Sequence, residues 1–132
     1  MKNLTVKKLD IYVADFTSWT WQQLLLATPN VEEIDILAFH DFLDLPQLVR
    51  NVKVLKVLKI INFVIHPYGL ELVPNPYASQ EDRAVALEET RKVLKDEFPN
   101  SIKASVKELI HHDQDDEQIL IEKEANEEPR LI

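Results

Sequence analysis

At 132 residues with a net charge of −8, a single glycine and no cysteine, the chain is long enough to bury one core without a metal or disulfide staple. The missing cysteines exclude disulfides, thiolate metal sites and thiol nucleophiles, and they fit a reducing cytoplasmic or nuclear compartment. One glycine leaves no phosphate-cradling loop, and no apolar run is long enough for a signal segment or a membrane span.

The charge is uneven. Residues Asp113 to Arg130 carry eight acids against Lys123 and Arg130, a net of −6, which leaves the body near −2. Such an end repels phosphate backbones and anionic lipid, so neither nucleic acid nor membrane is an expected partner. Lys53, Lys56 and Lys59 read as solvated flanks of a strand.

In chain order, one apolar spelling returns at nearly constant distance: Val6-x-x-Leu9-x-Ile11, Val31-x-x-Ile34-x-Ile36, then Leu55-x-x-Leu58-x-Ile60, in steps of 25 and 24 residues. One supersecondary unit is therefore stacked on copies of itself. Leu9, Ile11 and Val13 alternate with polar neighbours as in a half-buried strand. A short helix then sets Trp21, Leu24 and Leu25 on one face until Thr28-Pro29-Asn30 breaks it. The second unit repeats this with a strand on Ile34 and Ile36, a cap at Asp44, Pro46 in the first helical turn and Leu45, Leu48 and Val49 facing inward. The third strand lies within Val54 to Ile65, with Leu58 and Ile60 as its inward residues.

After residue 66 the repeat fails. His66-Pro67-Tyr68-Gly69 is a turn, and Ser79-x-x-Asp82 starts one long helix to about Phe98, with Ala84, Leu87, Thr90 or Arg91, and Leu94 inward. Lys103 to Ile110 and Gln118 to Lys123 read as a hairpin through an acidic turn, with disorder expected past Ala125. The division is residues 1–66 repeats, 67–123 a closing helix and hairpin, and 124–132 a disordered acidic tail, of which residues 126–132 are expected to be dispensable for folding.

The stretch from Trp21 to Ile36, a helix end, a Pro-Asn turn and a strand, resembles the leucine-rich repeat. More narrowly, it is similar to the irregular repeats of F-box substrate receptors, over roughly residues 4 to 66. Where that family usually carries Asn or Cys after the strand, this chain has Ala14, Phe39 and Phe63, so no asparagine ladder is expected there. No segment looks like an F-box module. The resemblance implies an α/β fold: a short solenoid of parallel strands with helices on one side, closed by the long helix and a divergent hairpin. It also implies an adaptor or substrate-receptor role.

Residues with chemistry are sparse. His111-His112-Asp113 alternate across a strand or turn, so the two imidazoles do not readily share an ion, and no cofactor or metal is expected. Trp19, Trp21, Phe39, Phe42 and Phe63 weigh toward packing rather than contact. Asp10, Asp35 and Lys59 occupy equivalent strand places by the 25- and 24-residue steps, so they form a polar row if those places face outward. With Tyr12, Phe39 and His40 they are the candidate partner-binding residues of a non-catalytic interaction module. A small α+β enzyme or ligand-binding domain and a self-assembling structural protein are the alternatives. The edge of the uncapped first strand, Leu4 to Val13, is expected to be covered by a preceding segment, by self-association with a second copy, or by a partner protein.

Overall fold

The computed structural model describes residues 3–13, 18–38, 44–65, 80–109 and 117–132, apart from the side chains of Val13, 18–22 and Gln80. The described elements run β1 (Lys8–Val13), α1 (Ser18–Ala27), β2 (Glu33–Ala38), α2 (Leu45–Asn51), a 3₁₀ turn (Val52–Val54), β3 (Ile60–Ile65), α3 (Gln80–Asp96), β4 (Lys103–Leu109), β5 (Glu117–Lys123) and β6 (Arg130–Leu131). The fold is α/β: one open, mixed sheet in the order β1-β2-β3-β4-β5-β6, parallel through β4 and antiparallel from β4 to β6. The parallel set thus has four strands where the repeat implies three, and the ladder does not continue as a solenoid.

Every parallel crossover steps to the next strand in the same direction, so right-handed connections place the helices on one face. Burial agrees. Ile34, Ile36 and Ala38 of β2, Ile61, Phe63 and Ile65 of β3 and Ala104 and Val106 of β4 join Leu45, Leu48 and Val49 of α2 and Ala86, Val93 and Leu94 of α3 in one core. Each fully covered Ile, Leu or Phe contributes about 1.5–3 kcal/mol. The intervening strand residues point to the other face, which none of the described helices covers.

The first two units pair as their spelling requires, Leu9 opposite Ile34 and Ile11 opposite Ile36. The third differs. Ile34 is paired with Ile61 and Ile36 with Phe63, three residues beyond Leu58 and Ile60. After α2 the chain takes the extra 3₁₀ turn, which buries Val52 and Leu55, and this lengthens the crossover. The motif in use is Leu58-x-x-Ile61-x-Phe63, and Ile60 turns to the open face.

Helix faces show smaller corrections. Thr28 ends α1 by donating its hydroxyl to the Leu24 carbonyl at 3.2 Å. Leu25 is buried as expected, but Leu24 is 42% exposed and so leaves the apolar face expected for it. On α3 the inward residues are Ala86, Thr90, Val93 and Leu94, while Ala84 is exposed. Thr90 satisfies its buried hydroxyl on the Ala86 carbonyl at 2.8 Å. Arg50 and Lys53 both reach Glu97 (3.0 and 2.9 Å), clamping α2 and its 3₁₀ extension to the end of α3.

The hairpin is present: β4 and β5 pair antiparallel, with an irregularity after Val106. The expected disordered tail is ordered instead. Its Arg130 and Leu131 pair with Glu122 and Ile121, Pro129 is buried, and the Ile132 N–H donates to the Leu120 carbonyl at 3.0 Å. Backbone pairing to an existing strand orders a segment too polar to form a core of its own.

Candidate functional site

The face of the sheet opposite the described helices carries the best-organised polar surface among the described residues. Alternation puts Asp10, Asp35, Asn62, Ser105, Glu122 and Arg130 on this face, and strand register lines them up as one row across all six strands. Asn62 Nδ2 donates to Asp35 Oδ1 at 2.7 Å, and Ser105 Oγ donates to Asn62 Oδ1 at 2.8 Å. A side-chain ladder of this kind fixes the Asn62 amide through both its ends and holds Asp35 in one orientation. At the far end Arg130 lies 3.3 Å from Glu122.

Electrostatics differ along the row. Asp10 and Asp35 stand directly opposite on neighbouring strands, concentrating negative charge at the β1–β2 end. Lys8 answers it: its ammonium is 2.9 Å from Glu33 and 3.4 Å from Asp35. The Glu33 carboxylate, with Asp35 beside it, raises Lys8 above the ordinary lysine value. Toward the carboxyl ends of the parallel strands the row is bordered by Tyr12, Leu37, Val64 and Lys107, and a groove of about 430 Å³ lies over this border. Tyr12 is 65% exposed there.

Three expected residues therefore share the face: Asp10, Tyr12 and Asp35. Lys59 does not. It precedes β3, its carbonyl accepts from the Lys103 N–H, and its ammonium lies 2.6 Å from Glu32, so its equivalents are Lys7 and Glu32. The three-residue slip of the third unit puts Asn62 where Lys59 was expected. Phe39 and His40 lie outside the described residues, as do Phe42 and the His111-His112 pair, while the side chains of Trp19 and Trp21 are not described. Phe63 is core. Sequence reasoning missed Asn62, Ser105, Glu122 and Arg130. The alternation around Ser105 was legible, but the pairing of β4 with β3 across 43 residues had no local signal.

Chemically the row offers amide and hydroxyl donors, carboxylate acceptors and an aromatic ring. The Ser105 hydroxyl gives its proton to an amide oxygen, which is no base, so this contact does not activate it as a nucleophile. Among the described residues no group of three His, Asp or Glu side chains is arranged to hold a metal, and no helix is long and apolar enough to cross a membrane. No protein-family model, curated protein or solved structure matches this chain.

Proposed function

We propose that this chain is a protein-interaction module that takes a partner protein on the open face of its sheet, in the manner of the leucine-rich-repeat adaptors its first units resemble. The carrying observation is the row from Asp10 to Arg130, ordered by the Asp35–Asn62–Ser105 ladder and bordered by Tyr12, Leu37 and Val64. Polar groups already held in place by neighbours lose little freedom on binding, and an aromatic and apolar border supplies the area that anchors an interface. A substrate-receptor role is the narrower form of the same reading and rests on the repeat resemblance. The groove volume lies in the range of small-ligand sites, which favours a ligand-binding domain as the second reading.

The test uses Leu37→Glu and Val64→Glu on the open face, with Val85→Glu on exposed α3 as the control. Quantitative affinity capture with cross-linking is expected to show a partner set that both face variants lose and the control keeps. Face variants that retain every partner of the parent protein would overturn the reading.

A further inference from the structure

The outer edge of β1 is the one long strand edge without a neighbour among the described residues, because the opposite end of the sheet finishes in the two-residue β6. Its backbone has a readable parity. The Lys7 carbonyl accepts from the Glu33 N–H, so the odd-numbered residues of β1 address β2 while Lys8, Asp10 and Tyr12 direct their N–H and C=O groups outward. The apolar side of this edge is also incomplete: Leu9 and Ile11 are only partly buried, whereas the residues they pair with, Ile34 and Ile36, are fully covered.

We infer that this edge is completed by the same edge of a second copy, paired antiparallel about a twofold axis at Leu9. An antiparallel partner must place outward-facing residues opposite outward-facing residues, which permits only registers that match even-numbered positions. Charge selects among them. Centring the axis on Asp10 would set Asp10 opposite Asp10, and centring it on Ile11 would match Asp10 with Tyr12. Centring it on Leu9 sets Lys8 against Asp10 of the second copy, and Asp10 against its Lys8, with the two Leu9 side chains meeting on the helix side. Among the described residues Asp10 has no cation within 4.0 Å in its own chain, since Lys8 leans to Glu33 and Asp35. The pairing therefore supplies Asp10 with a counter-charge, covers Leu9 and Ile11, and turns two six-stranded sheets into one. It is isologous, so it closes on itself without propagating into a filament. Lys8, a residue type that normally discourages edge pairing, becomes the residue that fixes the register. The dimer does not rest on the open-face reading, because its bonds are made at the edge.

Sedimentation velocity from micromolar to hundreds of micromolar protein is expected to show a monomer–dimer equilibrium. Lys8→Glu and Asp10→Lys should each weaken it by at least about tenfold, since each converts two attractive cross-strand pairs into repulsive ones. The double variant K8E/D10K should recover it, and that recovery separates a lost interface from a damaged fold. Because the chain has no cysteine, Leu9→Cys reports the register directly: Cα atoms in a non-hydrogen-bonded antiparallel pair lie within disulfide reach. Leu9→Cys should cross-link to itself on mild oxidation and Ile11→Cys should not. A strictly monomeric parent protein, single variants that dimerise unchanged, or cross-linking at Ile11 in place of Leu9 would each overturn the proposal.

Discussion

Lys123 shows how far a single residue can depart from its composition. It stands in the most acidic part of the chain, where a lysine reads as solvated, yet only 1% of it is exposed. Its ammonium donates to the carbonyls of Asn100 and Ile102 at 2.7 Å each and to that of Glu124 at 3.3 Å, tying the turn after α3 to the end of β5. Burial pulls its pKa below the ordinary lysine value of 10.5, the Glu127 charge opposing this only in part. The unfolded chain then holds this proton more tightly, so the stability contributed by Lys123 rises with pH between the folded value and 10.5. Lys123→Met should leave the Ile102 carbonyl without this donor, while the Asn100 and Glu124 carbonyls keep the N–H groups of Asn126 and Glu127, and should cost about 1–3 kcal/mol in urea unfolding at neutral pH. It should also flatten the alkaline rise. A change below about 0.5 kcal/mol would mean that water replaces the ammonium.

At the scale of elements, the third strand and the tail carry the lesson. The apolar spelling fits the chain at Leu55-x-x-Leu58-x-Ile60 and again three residues later, and periodicity cannot choose between them. The choice falls to packing: burying Val52 and Leu55 under an extra 3₁₀ turn moves Ile61 and Phe63 into register with Ile34 and Ile36. That slip replaces Lys59 by Asn62 and so creates the ladder. The tail, expected to be dispensable, is held by β6, by the Asn126 N–H on the Asn100 carbonyl at 2.7 Å and by Lys95 near Glu128. Deleting residues 126 to 132 should therefore destabilise the protein by roughly 2–4 kcal/mol, from several lost backbone bonds and the uncovering of Ile121 and Leu120. A truncated chain with the parent's urea midpoint would show that β6 contributes nothing.

For the whole molecule, three ion-paired carboxylates set its response to acid, and two of them link elements distant in sequence. Lys59 holds Glu32 below the ordinary carboxylate value of 4.5 at the β2–β3 corner. Lys53 and Arg50 do the same to Glu97 between α2 and α3, and Arg91 to Glu88 along α3. Depressed folded values mean that their stabilisation is complete above 4.5 and is lost as pH falls through the folded values. The urea midpoint should fall steadily below that pH, and a Glu32→Gln, Glu97→Gln double variant should fall less steeply. Equal slopes would place the acid sensitivity elsewhere. What the amino-acid order determined by itself is the α/β class, the pairing of β1 with β2 and the β4–β5 hairpin. Each rests on period-two burial, or on helix breakers such as Thr28-Pro29-Asn30, that act within one unit of the chain. Tertiary structure alone decided the register of β3, the insertion of β4 beside it, the ordering of the tail and the row from Asp10 to Arg130. These depend on which of several equally apolar surfaces pack together across tens of residues, and that competition leaves no local periodicity to read.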